Sequence, residues 1–165
     1  ELAGLDTKPL VGHLAAWNYF MSIDTSANDD FIEKWQKFIK DDKRVTNDPM
    51  EAHYIGFQMW VKAVQNANST KTDAVLDSIV GVTVPNLTGG YSAMMPNHHI
   101  TKPVLIGEIQ SDGQFETVWR TPGLVAGDAW SDFLPGSKDL ISDWRKPLGC
   151  GNYNVKANKC GGQGS

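Results

Sequence analysis

The chain carries only two cysteines among its 165 residues, Cys150 and Cys160, and no stretch of it approaches the roughly 20 consecutive apolar residues that a membrane-spanning helix needs. Positive charge is not in excess either: 15 Lys and Arg stand against 19 Asp and Glu, for a formal net charge of -4. Nucleic acids and anionic membrane surfaces recruit basic patches, so neither is expected as the main partner. The one small basic group, Lys40, Lys43 and Arg44, has Asp41 and Asp42 inside it. Also missing are a P-loop, a dinucleotide-binding glycine fingerprint, a Gly-x-Ser-x-Gly elbow and a His-Glu-x-x-His pair. An enzyme would have to be assembled from scattered groups, and no cofactor is expected. There is no internal repeat and no low-complexity block. The chain opens on Glu1 without a signal-peptide pattern, which leads us to expect that something was removed upstream or that this is a piece of a longer protein.

What is present is an ordinary globular composition, 41% hydrophobic and 21% charged, with one distinctive stretch. Leu10 to Phe20 is a run of small apolar residues that ends in three large hydrogen-bonding side chains, Trp17, Asn18 and Tyr19. A continuous apolar run of this kind reads as a buried, parallel-type strand, and ligands of open α/β sheets bind beyond the strands' carboxyl ends. The alternative is that Trp17 and Tyr19 are core aromatics at a strand-to-helix corner.

Asn28 to Lys40 places Phe31, Ile32, Trp35, Phe38 and Ile39 on one helical stripe, with Ser26 or Asn28 as cap. A second helix starts at Asp48 as N-cap, with Pro49 in the first turn and Glu51 returning a bond to the cap, and its run to Val64 is apolar nearly all round. That pattern predicts burial on most sides. A short helix follows over 73–80. Pro85, Gly89, Gly90 and Pro96 then interrupt regular structure, and Asp112-Gly113 between two β-rich runs predicts a hairpin of 104–109 with 115–120. A further short helix is expected over 139–144. One core strand, three helices and a hairpin do not close an α/β layer structure by themselves.

Among polar candidates, His98 and His99 are adjacent, and neighbours in an extended segment face opposite ways, which argues against a shared metal ion. His13 inside the apolar run reads as a hydrogen-bonded core histidine. Asp48 and Glu51 are explained by capping, or else the start of their helix faces the same cleft as Trp17 to Tyr19, with Glu51 accepting ligand N–H groups and Tyr54 walling the site. Cys150 and Cys160 lie in a Gly- and Asn-rich tail with little core of its own. A disulfide there implies an oxidising compartment, and the rival zinc site lacks further Cys or His ligands nearby.

Three stretches, Leu10 to Phe20, Arg44-Val-Thr-Asn-Asp-Pro-Met-Glu-Ala-His-Tyr-Ile-Gly-Phe and Asn97-His-His-Ile-Thr-Lys-Pro-Val-Leu-Ile-Gly-Glu-Ile with Asp112-Gly-Gln-Phe, closely resemble the urea and short-chain-amide substrate-binding proteins of bacterial ABC transporters. The likeness continues through Asp128-Ala-Trp-Ser-Asp and Cys150-Gly-Asn-Tyr to Cys160. It implies an α/β type I periplasmic binding protein, two lobes joined by hinge crossings, of which this chain resembles the C-terminal portion. On that analogy residues 1–21 end the second lobe and cross a hinge, 22–84 are the helical part of the first lobe, 85–120 return to the second lobe, and 121–165 form an extension. The implied protein is periplasmic and not an enzyme. Its partners are a small neutral amide such as urea, the membrane permease subunits, and the N-terminal portion of the same protein. Trp17, Asn18, Tyr19, Glu51 and Tyr54 supply the donors and acceptors that a planar amide needs. The rival readings are a cytoplasmic amide sensor of the same fold and, more remotely, an amide hydrolase.

Overall fold

The computed structural model describes residues 2–128, residues 130 and 133, and two short strands at 153–154 and 159–160. They fall into two units, Glu1–Gly127 and Asp128–Ser165.

The first unit holds helices α1 (Ser26–Ile39), α2 (Asp48–Ala67) and α3 (Thr72–Ile79), and strands β1 (Leu14–Trp17), β2 (Thr83–Pro85), β3 (Tyr91–Ala93), β4 (Leu105–Ile109) and β5 (Phe115–Arg120). Both long helices are capped one residue or more before the expected position. Thr25, in extended conformation, accepts from the Asn28 backbone N–H to open α1. Asn47 does the same for Met50 N–H at α2, leaving Asp48 as the first helical residue and freeing Glu51 from any capping role. Lys40 and Asn68 end the helices in the left-handed region, at φ 56 and 47.

Helix α2 buries Glu51, Ile55, Met59 and Ala63, a single stripe at four-residue spacing. Its apolar end packs on Val75 of α3 and on Val82 and Val84 of the β2 region, with Met94 and Ile100 closing the cluster. The expectation of burial on most sides does not hold among the described residues: Phe57 is 63% and Trp60 41% exposed, stacked on each other at 5.8 Å. In α1, Phe31 is buried but Phe38, expected on the inner stripe, stands 81% exposed.

The segment expected to interrupt regular structure forms a hairpin instead. Strands β2 and β3 pair antiparallel, Val84 opposite Ser92, and Asn86 N–H bonds Gly90 O across the turn. Glycine at 89 and 90 supplies the positive φ that turn requires. The chain then passes over 101–104 to β4. The β4–β5 hairpin forms where Asp112-Gly113 placed it, with Gln110 N–H on Gln114 O and a register shift at Ile106/Gly107.

A three-stranded antiparallel sheet in the order β1-β4-β5 completes the unit. Here β1 corrects the reading of a buried parallel strand. It is an edge strand pairing antiparallel with β4, Leu14 opposite Glu108 and Trp17 opposite Leu105, and Leu14 is 62% exposed. The turn ending at Gly12, in the left-handed region, uses up the first half of the apolar run, so only four residues extend. His13 is exposed as well, its Nδ1 3.1 Å from Leu10 O, rather than a core histidine. Phe20 stacks on Phe115 at 4.6 Å over Gly107, where a Cβ would come within 2.6 Å of the Phe20 ring. Glycine at 107 therefore admits the ring against the sheet.

In the second unit, β6 (Tyr153–Asn154) pairs antiparallel with β7 (Lys159–Cys160). Cys150 and the helix expected over 139–144 lie outside the described residues, and with Cys150 lies the Cys150–Cys160 disulfide.

Candidate functional site

Leaving β1, the chain runs through Asn18 to Asp24 into α1, and the side chains of Asn18 and Tyr19 are taken up inside the fold while Ser22 and Asp24 stay exposed. Asn18 Nδ2 donates to Pro103 O at 2.7 Å, tying this segment to the one that returns to β4. Tyr19 is 2% exposed and its hydroxyl donates to Asn28 Oδ1 at 2.7 Å, with Thr46 Oγ1 also at 2.7 Å. Asn28, itself fully buried, donates through Nδ2 to Met21 O and Ile23 O. Burial pushes the Tyr19 phenol up to about 12, the Thr46 hydrogen bond opposing and the Glu51 charge adding. The hydroxyl thus stays a protonated donor throughout the neutral range.

Beside this knot lies a buried charge cluster. Glu51 is wholly buried and bonds Lys102 Nζ, whose side chain is also buried, and Asp48 Oδ1 stands 3.6 Å from the same ammonium. Loss of hydration raises the Glu51 carboxyl above its ordinary range, the Lys102 ammonium opposing and the Asp48 carboxylate adding. Two carboxylates and one cation meet at the first turn of α2, where partial positive charge from the helix favours acidic side chains.

A cleft of about 650 Å³ opens between the sheet and the start of α2. Trp17 and Tyr19 line it, together with Thr46 and Asn47 from the α1–α2 connection, Asp48 at the start of α2 and Asp112 from the β4–β5 turn. Trp17 is 45% exposed. The other three residues expected at a ligand site lie elsewhere: Asn18 faces Pro103, Glu51 faces Lys102, and Tyr54 packs on Phe31 with ring centroids 4.7 Å apart. Tyr54 borders a separate hollow of about 570 Å³ with Trp35 and His53. Asp48, read from sequence as a cap or as part of a helix start facing the cleft, is the acidic residue of α2 that lines it. Lys102 was not singled out. Its signal was a lysine set directly before Pro103-Val-Leu-Ile, but its partners lie about fifty positions upstream and no local pattern links them. Among the described residues no group of three or more His, Cys, Asp or Glu side chains is placed to hold a metal ion.

An incomplete antiparallel sheet, joined by two chain crossings to a helical layer with buried polar side chains at the crossings, is an α/β portion of the type I periplasmic binding protein fold. The chain belongs to the periplasmic binding protein domain family, whose model matches residues 1–136. Among similar solved structures is a solute-binding protein of an ABC transporter from Rhodopseudomonas palustris HaA2, in complex with p-hydroxybenzoic acid. It shares 22% identity and a TM-score of 0.59, over 69% of this chain and 32% of that one. A periplasmic binding protein from Burkholderia mallei gives a TM-score of 0.62 at 15% identity, over 74% of this chain and 33% of its own. The leucine-binding protein of Thermotoga maritima gives 0.54 at 15%, over 68% and 31%. At these identities the structures support the fold, and the chain spans about a third of each. A limonene hydroxylase from Geobacillus stearothermophilus is 31% identical over 117 residues, 71% of this chain and 21% of that protein.

Proposed function

We propose that this chain is part of the solute-binding component of a bacterial ABC importer, working in the periplasm, that encloses urea or a short-chain amide and hands it unchanged to the permease subunits. The observation that carries the reading is the position of Trp17, which ends β1, and Tyr19, which follows it into a crossing between sheet and helices; the two share one cleft with Asp48 at the start of α2. In two-lobed binding proteins a ligand is captured at such a junction. A planar neutral amide needs acceptors for its N–H groups and a donor for its oxygen, and the Asp48 carboxylate and Trp17 indole N–H are groups of those kinds. The amide assignment itself draws support from the resemblance over Leu10–Phe20, 44–57 and 97–109. On this reading the N-terminal portion of the same protein supplies the facing wall, and Cys150 and Cys160 form a disulfide suited to an oxidising compartment. The likeness to limonene hydroxylase covers about a fifth of that protein, and we assign no hydroxylation to this chain.

Calorimetric titration of the intact protein with urea, acetamide, leucine and 4-hydroxybenzoate tests the assignment. Saturable binding of urea or acetamide, weakened at least about tenfold by Trp17→Phe, is the expected result, equivalent to about 1.4 kcal/mol. Binding of leucine or the benzoate alone overturns the amide reading and leaves the solute-binding class standing.

A further inference from the structure

The sheet and the helical layer of the first unit are joined in an unusual way. Among the described residues no helix packs broadly on β1, β4 or β5; α2 packs on α3 and β2 and meets α1 through Tyr54 and Phe31. What links the two parts is the chain itself, which crosses once over 18–25 and again over 101–104, and a small set of polar contacts at those crossings. Asn18 Nδ2 bonds Pro103 O at 2.7 Å, so the first crossing grips the second. Lys102, one residue earlier, anchors the second crossing to α2 through Glu51 and Asp48. Among the described residues other ties also meet the crossings: the Phe20 ring stacked on Phe115, backbone bonds of Thr101 N–H to Ala93 O and of Lys102 with Val125, and, on more exposed side chains, a Ser22 hydroxyl on Phe115 O and an Arg120 Nη2 on Thr88 O at 3.3 Å.

From this we infer that Asn18 and Lys102 form a latch that sets the angle between the sheet and the helices, Asn18 by binding one crossing to the other and Lys102 by binding the second crossing to the first turn of α2. Nothing in the inference depends on which solute is bound. A buried charge network is directional: Lys102 Nζ must stay within reach of both carboxylates, which fixes where the second crossing leaves the helical layer. An apolar contact at that place would tolerate sliding. Proline at 103 adds to the effect by fixing φ of the residue whose carbonyl Asn18 holds. Both positions are positioning residues. Neither side chain is among those lining the cleft with Trp17 and Tyr19.

The test measures the angle directly and without ligand, so its failure is distinct from failure of the amide reading. Spin labels at exposed positions 65 on α2 and 117 on β5, introduced as Gln65→Cys and Thr117→Cys with Cys150→Ser and Cys160→Ser, report the distance between helices and sheet in the intact protein. Asn18→Ala and Lys102→Met are each expected to broaden the distance distribution at least about twofold. Val75→Ala, which weakens the apolar cluster away from both crossings and from the first turn of α2, is expected to leave the width unchanged. Unaltered widths in folded Asn18→Ala and Lys102→Met overturn the latch. So does equal broadening by Val75→Ala, which reduces the effect to lost stability. Should Lys102→Met fail to fold, Asn18→Ala against Val75→Ala decides the matter alone.

Discussion

The two ends of α2 present the same stripe to the interior and meet opposite chemistry there. Glu51, Ile55, Met59 and Ala63 follow one another at four-residue spacing, and all are fully buried. The last three pack among Val75, Val82 and Val84 with no polar group in the cluster. Glu51, one turn before them, sits beside Lys102 and close to the knot of Tyr19, Asn28 and Thr46. Burial of apolar surface is non-directional and tolerates small shifts, whereas a buried carboxylate persists only where a partner is held in place. One end of the helix is therefore held by volume and the other by geometry, and the end held by geometry adjoins both the crossings and the cleft.

The comparison predicts different responses to truncation. At the apolar end, Met59→Ala removes a wholly buried side chain from the centre of the cluster and is expected to cost about 2–5 kcal/mol, read from unfolding in guanidinium chloride. Urea is avoided as denaturant because it is the proposed ligand. The loss should be independent of pH, since no titratable group lies in that cluster. A loss below about 1 kcal/mol would mean that this end is not the stabilising core.

At the polar end, Tyr19→Phe keeps the ring and removes only the hydroxyl, leaving Asn28 Oδ1 buried without its donor, for an expected loss of about 1–3 kcal/mol. Here pH sharpens the contrast. The Tyr19 phenol is raised from 10.0 to about 12 in the fold, so its contribution is complete below pH 10 and is lost as pH rises through the raised value. The stability gap between the parent and Tyr19→Phe should narrow across that window while the gap to Met59→Ala stays level. A constant gap for Tyr19→Phe would place the hydroxyl outside the hydrogen-bonded knot.

The same contrast explains what the sequence made legible. Apolar periodicity located α1, α2 and α3, and Asp112-Gly113 located the β4–β5 hairpin, because each signal is local: the residues that report the element are the residues that form it. The β2–β3 hairpin was missed because Pro85, Gly89 and Gly90 read as interruptions, when Pro85 ends β2 opposite Tyr91 and the two glycines lie in the turn. Strand β1 was misjudged for a related reason. An apolar run reports composition but not whether a second layer covers it, and Leu14 is 62% and Trp17 45% exposed. For the site, Trp17 and Tyr19 were legible as hydrogen-bonding groups at a strand's end. Lys102 was not, since its pairing with Glu51 joins segments fifty-one positions apart, and a buried ion pair leaves no periodic trace. Asp48 and Glu51 exchanged roles through a shift of one residue: with Asn47 as cap, Asp48 turns to the cleft and Glu51 inward.

That one-residue shift yields the smallest and most local prediction. Asn47 Oδ1 accepts from the Met50 backbone N–H at 3.0 Å, satisfying one of the four donors that open α2. Asn47→Ala should therefore cost about 0.5–2 kcal/mol, with Asn47→Ser restoring most of it. Amide exchange localises the effect. Protection should fall at Met50 and its neighbours in the first turn, while the amides around Met59, held by the apolar cluster, change only with the global stability. If Asn47→Ala leaves the first turn protected, Asp48 caps the helix after all. The polar end of α2 would then begin one residue later, and Glu51 would be drawn back toward the cap and away from Lys102.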